Sequence, residues 1–372
     1  MLKKFTLSLM ILLLICGISH ADFIYATTEG TLGMIWTNQS SDVGLSSTHY
    51  SWNIPSPFLT SYWNGSDTKI LLLDRYASDS GDKGYVFSPS NLADISESHD
   101  VAGVFGTEHA GFSENGYSVF LTSGAGIYDV SASTFRVKSS FDCSKVISRD
   151  GYNTEICDIA VDSLVIHVIA KAGDELRYIR FDGQLKDNVR FFKSFDVSPG
   201  ASVILGASNT AALIGHSSGI DILRRNGKSE RLVSTDYPVK AMCPDESGNL
   251  FYAEQRQSGD VYVNTIRHYA EKSLFEEAEI VSSSPNIKLI RDSTRREVFA
   301  AMTDEKITVF IYTNYITNKW EFPASELEGT PAGITAAAVT GYDPKNSSSS
   351  GCSSGYAGMI MLVMIPFMLK RK

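Results

Sequence analysis

Side chains capable of acid–base or metal chemistry are spread thinly along this 372-residue sequence. Catalysis would need several histidines to converge in the folded chain. Glu108 and His109 adjoin in "GTEHAGF", and we single out this pair as a candidate ligand site, with a structural or surface role as the alternative. The histidines outside the N-terminal segment are isolated from one another: His49, His99, His109, His167, His216 and His268.

The sequence carries no Gly-x-Ser-x-Gly nucleophile turn, no phosphate-binding loop and no dinucleotide-binding fingerprint. It therefore indicates no catalytic residue and no cofactor. Asp74, Asp79 and Asp82 offer oxygen ligands of the kind calcium prefers, but their spacing lacks the alternation of a calcium-binding loop. We favour a solvated acidic turn, and no metal site is predicted.

Aromatic residues crowd the stretch "HYSWNIPSPFLTSYWNGSD", residues 49–67. Such a cluster stacks on sugar rings or peptides in some proteins, but it also fills the junctions between packed sheets. We favour the packing interpretation. The aromatic residues of this cluster are Tyr50, Trp52, Phe58, Tyr62 and Trp63.

Three cysteines, Cys143, Cys157 and Cys243, lie between the two ends of the chain. Cys143 and Cys157 flank a short polar segment, and in an oxidising compartment a disulfide closing a loop of about 15 residues is worth roughly 3 kcal/mol. A compartment without oxygen would leave both thiols reduced. The spacing matches no zinc site.

The elements that must position these side chains recur along the chain. Hairpin-like segments begin at residues 23, 69, 118, 163, 211, 249 and 297, at spacings of 38 to 49 residues. Each opens on an apolar run such as Val119-Phe120-Leu121, turns on Gly, Asp or Ser, and continues in a more alternating strand. One four-stranded sheet cannot bury both faces by itself, but seven packed radially can. The sequence predicts an all-β, seven-bladed β-propeller.

The predicted ring closes through its two ends. The chain opens near Phe23 on the second strand of a blade, so the first blade lacks an innermost strand. The segment "GITAAAVTGYD", which begins at Gly333 after the seventh unit, would supply that strand and remove two exposed edges. The alternatives are a six-bladed ring with an added domain and, less favoured, a β-sandwich.

Three stretches of the body resemble known propeller motifs. "SENGYSVFLTS" from Ser113 is similar to YVTN-type repeats, and "DESGNLFYAE" from Asp245 is similar to NHL-type repeats. Residues 80–87, "SGDKGYVF", resemble the Asp-box turn of sialidase-type propellers, with Val86 where that motif usually has Thr. The resemblances imply a propeller and a structural turn, and they imply no particular activity.

The N-terminal segment has the organisation of an export signal. Lys3 and Lys4 precede an apolar core at residues 7–15, and Ser19-His20-Ala21 offers small residues where signal peptidase cleaves. We predict a signal peptide over residues 1–21, with cleavage between Ala21 and Asp22. Lipidation at Cys16 is the alternative, but the bulky Ile15 precedes it where that signal needs a small residue.

The C-terminal segment combines a serine-rich linker with an apolar stretch and a basic end. Residues 344–355 form the linker, and residues 356–372 carry the apolar stretch and three final basic residues. A helix over the 14 residues from 356 to 369 would reach about 21 Å, short of a hydrocarbon core of about 30 Å. The basic end would remain on the cytoplasmic side.

The stretch Gly351-Cys352-Ser353-Ser354-Gly355 with the segment after it resembles the Synerg-CTERM sorting signal. The resemblance covers about the last 25 residues. It implies that a sorting protease cleaves or modifies the chain at Gly351 and Cys352. A plain C-terminal membrane anchor is the alternative, and both place residues 22–343, the propeller, outside the cytoplasm at the cell surface or outer envelope.

The charge balance argues against nucleic acid as a partner. Removal of Lys3, Lys4, Lys370, Arg371 and Lys372 from the 33 basic residues leaves 28 against 42 acidic ones, a net charge near −14. Such a chain repels polyanions. We expect a surface-retained propeller that binds a ligand or a protein. The alternatives are an extracytoplasmic propeller enzyme, namely a hydrolase, lyase or lactonase, and a structural envelope component.

Overall fold

The fold was obtained as a computed structural model, which describes residues 20–336 apart from short gaps. It contains seven four-stranded antiparallel sheets, and each is one blade of a propeller. The all-β prediction and the number of blades are confirmed. The gaps fall at residues 38–42, 49–53, 55–56, 64–67, 88–97, 114, 163–164, 186–191, 209–210, 245–248, 271–272, 292–297 and 313–315.

The strands of the first four blades follow one another in space from the innermost to the outermost. Blade 1 consists of β28 (Pro331–Ala336), β1 (His20–Thr27), β2 (Leu32–Thr37) and β3 (Val43–Thr48). Blade 2 consists of β4 (Pro57–Trp63), β5 (Thr68–Ser78), β6 (Gly81–Phe87) and β7 (His99–Ala102). Blade 3 consists of β8 (Ala110–Phe112), β9 (Ser118–Ser123), β10 (Gly126–Ser131) and β11 (Val137–Asp142). Blade 4 consists of β12 (Thr154–Asp162), β13 (Val165–Ala172), β14 (Glu175–Asp182) and β15 (Phe192–Asp196).

The remaining three blades have the same order from the axis outwards. Blade 5 consists of β16 (Val203–Ser208), β17 (Ala211–His216), β18 (Gly219–Arg224) and β19 (Ser229–Ser234). Blade 6 consists of β20 (Val239–Pro244), β21 (Leu250–Ser258), β22 (Val261–Ala270) and β23 (Ser273–Ser282). Blade 7 consists of β24 (Lys288–Arg291), β25 (Val298–Met302), β26 (Lys306–Tyr312) and β27 (Ile316–Pro323). A short 3-10 helix, Cys143–Lys145, leads from blade 3 to blade 4.

The seven innermost strands form a closed ring. Each contacts the innermost strands of the two neighbouring blades, and the last contact joins β24 to β28. Every innermost strand begins where a loop arrives from the outermost strand of the preceding blade. We call the side of the ring that carries these loops the crossover face. The turns between second and third strands lie on the same face, because strands alternate in direction.

The ring closes within blade 1, as the sequence predicted. Phe23 to Ala26 of β1 pair on one side with β2 and on the other with residues 333–336 of β28. The last part of the predicted closing segment, residues 337–343, lies outside the described residues. Tyr25 pairs with Ile334, and both side chains are fully buried.

The core consists of apolar layers between adjacent blades. Phe23 and Ile35 of blade 1, for example, pack in one cluster with Val309 and Ile311 of blade 7. Second strands such as β13 are buried on both faces, because each lies within a sheet that is covered on both sides. Burial of these layers is the main favourable term that holds the blades together.

Two glycines show why the hairpin turns need this residue. Gly81 and Gly219 open the third strands of blades 2 and 5 with φ angles of 151° and 152°. A Cβ at Gly81 would lie 2.3 Å from the carbonyl oxygen of Val101, and one at Gly219 would lie 2.1 Å from that of Val233. Both glycines therefore allow the outermost strand to approach the turn, which a larger residue would prevent.

Candidate functional site at the propeller axis

Four side chains from four different blades converge near the axis toward the crossover face. Phe58 is the second residue of β4, His109 immediately precedes β8, Asp158 lies within β12, and Lys288 is the first residue of β24. We call this group the axial site. Its members are partly exposed, with 28% of the His109 side chain and 24% of the Asp158 side chain accessible to solvent.

The carboxylate of Asp158 is the fixed point of the axial site. Its Oδ2 accepts a hydrogen bond from the backbone N–H of Ile204 in blade 5 at 2.8 Å, and its Oδ1 accepts one from the N–H of Ile159 at 2.9 Å. The pairing of β12 with β13 shifts register between Ile156 and Asp158. Such a bulge re-aims the side chains beside it, which accounts for an acid at the axis within the mostly apolar residues 156–161.

His109 approaches the same carboxylate from the other side. Its Nδ1 lies 3.4 Å from Oδ1 of Asp158. The backbone of His109 is held by blade 3, because its N–H donates to the Thr122 hydroxyl at 3.0 Å and its carbonyl accepts from the Thr122 N–H at 3.0 Å. The imidazole is therefore held beside a carboxylate, an arrangement that suits ligand binding or proton transfer.

Lys288 faces Asp158 from blade 7. Its Nζ donates to the carbonyl of Ile334 at 3.2 Å and lies 5.7 Å from the centre of the Phe58 ring. Burial lowers the pKa of Lys288 to about 8, while the negative charge of Asp158 acts in the opposite direction. The ammonium and the carboxylate are thus within electrostatic reach of each other, yet no ion pair joins them within the described residues.

The rim of the axial site on blade 4 carries further charges. Lys171 forms an ion pair of 2.9 Å with Glu155, and the hydrogen bond that its ammonium donates to that carboxylate raises the pKa of Lys171. Glu108 is exposed beside His109, and its charge acts on Lys171 and on the thiol of Cys157. Of the predicted pair, the structure therefore places His109 beside Asp158, while Glu108 is exposed to solvent.

Three exposed aromatic side chains lie on loops of the crossover face. Phe105, Tyr152 and Tyr237 are 43%, 56% and 43% exposed, so each presents a ring to solvent. They lie on the loops that lead into blades 3, 4 and 6. Aromatic residues are enriched where proteins bind one another, and these three lie on one face of the molecule.

Proteins of known structure share this architecture at low sequence identity. No family model matches the chain, and no curated protein does. A crystal structure of a protein from Lactobacillus plantarum superposes with a TM-score of 0.58 at 9% identity, covering 85% of this chain and 99% of that one. A functionally unknown protein from Desulfotomaculum acetoxidans gives 0.57 at 10% identity, covering 86% and 99%. These likenesses show the fold alone.

The turn that resembles an Asp-box is structural. It lies between β5 and β6, and the buried Asp82 accepts hydrogen bonds from the N–H groups of Gly106 and Thr107 at 2.7 and 2.8 Å. Asp74 is also buried, whereas Asp79 is exposed. The prediction of a solvated acidic turn is therefore wrong for Asp74 and Asp82. Within the described residues, no group of His, Cys, Asp and Glu is arranged to hold a metal ion.

The predicted disulfide is not present. Cys143 and Cys157 are both free thiols, and they pack in different apolar clusters. Cys143 shares a cluster with Ile156, whose side chain points to the opposite face of β12 from that of Cys157. Burial raises the pKa of Cys143 to about 12 and that of Cys157 to about 11.

The aromatic cluster of the sequence is divided by the fold. Phe58 lies over Lys288 in the axial site, while Tyr62 packs on Phe112 of blade 3 with ring centres 5.8 Å apart. Trp63 ends β4, and Tyr50 and Trp52 lie outside the described residues. The packing interpretation therefore holds for Tyr62.

The predicted processing residues lie at or beyond the ends of the described chain. Ala21 and Asp22 are at the start of β1, where the pairing with β2 shifts register between Ala21 and Phe23. Gly351 and Cys352 lie outside the described residues. Over the part of the chain that is described, no helix has the length and apolar character to traverse a bilayer.

Proposed function

We propose that this chain is a binding module that takes its ligand in the axial site on the crossover face. The observation that carries the proposal is the convergence of Phe58, His109, Asp158 and Lys288 from four blades. The closed ring fixes the backbone of each, so a ligand would bind with little ordering cost. The exposed Phe105, Tyr152 and Tyr237 suit a larger partner on the same face.

We also propose that the module is exported and retained at the cell surface. The N-terminal segment with its expected cleavage before Asp22, and the C-terminal segment with Gly351 and Cys352, support this location. The partners implied are a sorting protease and the membrane. Intact-mass measurement of the native protein and of its cell fraction tests both ends, and an uncleaved, cytoplasmic chain would contradict the proposal.

A second candidate is an extracytoplasmic enzyme. It is favoured by the contact between His109 and Asp158 and by the lowered pKa of Lys288, because general acid–base catalysis needs groups that titrate near neutral pH. Binding without turnover distinguishes the two candidates. A ligand recovered chemically unchanged after prolonged incubation supports the module, and its conversion, lost in Asp158→Asn, supports the enzyme.

The binding proposal is tested by thermal-shift screening of small anions, cations, sugars and zwitterions. A ligand of the axial site should raise the melting temperature of the native chain and should do so less in Asp158→Asn and Lys288→Met. Lys228→Met and Asp174→Asn, exposed substitutions on blades 5 and 4, serve as matched controls. Ligands whose effect is equal in all four variants would place binding away from the axis.

A further inference from the structure

The axial site presents one positive and one negative charge on opposite sides of the ring. β12 with Asp158 and β24 with Lys288 are separated by two innermost strands in one direction, β16 and β20, and by three in the other. They are therefore as far apart around the ring as seven blades allow. The positive charge of Lys288 and the negative charge of Asp158 thus approach the axis from opposite walls.

Backbone groups of different blades hold the two charged side chains in place. Asp158 is fixed by backbone N–H groups of blades 4 and 5, and Lys288 by the carbonyl of Ile334 in blade 1. Within the described chain Lys288 has no carboxylate partner, and the basic side chain near Asp158 is that of His109. Two partly buried opposite charges held apart leave much of their desolvation cost uncompensated by mutual attraction.

A molecule with one negative and one positive group could pair with both Lys288 and Asp158. Its carboxylate would meet the Lys288 ammonium, and its cationic nitrogen would meet the Asp158 carboxylate, which forms charge-assisted contacts on both sides. Phe58 adds an aromatic face beside the lysine. A simple anion would satisfy Lys288 and leave Asp158 with only the His109 imidazole beside it, and a simple cation would leave Lys288 without an anion.

We infer that the axial site binds a small zwitterion, a molecule of the amino-acid type with one carboxylate and one cationic nitrogen. The inference rests on the proposed function and narrows its ligand class. The length of the ligand is set by the gap between Lys288 and Asp158.

Unbranched amino acids from glycine to 6-aminohexanoate, in which the two charges are progressively further apart, are suitable probes. Titration calorimetry on the native chain should show an optimum length. Hexanoate and hexylamine, with one charge each, should bind at least about tenfold more weakly than the best amino acid, a difference of about 1.4 kcal/mol.

Two variants test whether Lys288 binds the carboxylate of the ligand and Asp158 its cationic nitrogen. Lys288→Met should weaken the binding of the best amino acid about tenfold or more and leave the affinity for hexylamine unchanged. Asp158→Asn should leave the affinity for hexanoate unchanged. Lys228→Met and Asp174→Asn should bind like the native chain. Melting curves of all variants establish that each is folded.

The outcomes separate the two proposals. Hexanoate or hexylamine could bind as tightly as every amino acid and lose that binding in one of the two axial variants. That result would contradict the inference of a zwitterionic ligand and would still support binding at the axial site. A second result would be that no probe binds and that binding of a partner protein is lost in Phe105→Ser, Tyr152→Ser or Tyr237→Ser. That result would contradict both the zwitterion inference and the proposal that the axial site binds the ligand. Length-dependent binding lost in both axial variants supports the inference.

Discussion

The buried carboxylate of Asp82 in blade 2 accepts hydrogen bonds from both the N–H and the hydroxyl of Thr107, at 2.8 and 2.7 Å, in the loop that enters blade 3. One side chain therefore joins two successive blades. Other blades have comparable joints, such as Asp221 of blade 5, which accepts from Ser198 at 2.6 Å in the loop before it.

Substitution of Asp82 by alanine should destabilise the protein by about 3 kcal/mol, because it leaves buried donors of residues 106 and 107 without an acceptor. Urea unfolding provides the measurement. Asp79→Ala, in the same turn but exposed, is the control and should change the free energy of unfolding by less than about 0.5 kcal/mol. Equal effects of the two substitutions would show that the joint is not structural.

Closure of the ring predicts a second stability effect. Ile334→Ala should cost about 2–4 kcal/mol, because the fully buried side chain packs at the seam between blades 7 and 1. Val137→Ala, at a position 38% exposed, should cost far less. A small effect at Ile334 would mean that β28 is dispensable for the fold.

Acid should destabilise the protein through His167. The side chain is fully buried, its Nδ1 lies 2.7 Å from the Tyr178 hydroxyl, and burial lowers its pKa to about 4. The unfolded chain takes up the proton below pH about 6.5, so this contribution to stability is complete above that pH and falls as the pH drops towards 4. Its full size is about 3 kcal/mol.

His167→Gln should therefore reduce the loss of unfolding free energy between pH 7 and pH 4.5. Denaturant unfolding at the two pH values measures that loss, and His99→Gln, at a partly buried position, is the matched control. An unchanged loss in His167→Gln would show that this histidine is not the acid-sensitive group.

Lys288 should titrate well below ordinary lysines. Competitive acetylation with acetic anhydride should give a midpoint near pH 8, because burial lowers its pKa to about 8, whereas Lys171 should titrate above the ordinary value. Peptide mass spectrometry measures both on the same sample. Equal midpoints for Lys171 and Lys288 would contradict the described environment of the axial site.

The same environment predicts that Lys288→Met is not destabilising at pH 7. Removal of a partly buried ammonium that has no carboxylate partner among the described residues should raise the unfolding free energy by on the order of 1 kcal/mol after allowance for solvent screening. Urea unfolding measures it, with Lys228→Met as the control. A loss of stability would show that Lys288 is retained for the fold rather than for binding.

The buried thiols predict resistance to alkylation. Cys143 is fully buried, and burial raises its pKa to about 12, so iodoacetamide at pH 8 should leave it unmodified in the native protein. Labelling in urea followed by peptide mapping is the control. Rapid modification of the native protein would contradict the position of the thiol.

The repeat could be predicted because every blade buries its apolar strands between neighbouring blades, so the same hairpin pattern recurs along the sequence. The spacing of apolar runs such as that at Val119 predicted the number of blades. The additional strand at Gly333 predicted how the ring closes. The pairing of Cys143 with Cys157 failed because neighbouring residues of a strand point to opposite faces, which the number of intervening residues does not reveal.

The axial site was only partly predictable. His109 was found because an acid precedes it, but Lys288 in "NIKLIRD" is unremarkable along the sequence, and it meets Asp158 only through ring closure. Asp158 did carry a signal, since it interrupts the apolar "ICDIAV". Convergence from different blades depends on the three-dimensional arrangement, which the order of residues does not state.

The antiparallel pairing of β1 with β28 fixes the side of the ring on which β28 ends. Phe23 pairs with Ala336 and Thr27 with Pro331, so Ala336 ends on the side away from the inter-blade loops. The expected attachment to the cell follows Ala336 in the chain. A tether that continued from Ala336 would therefore start on the side of the ring opposite the axial site.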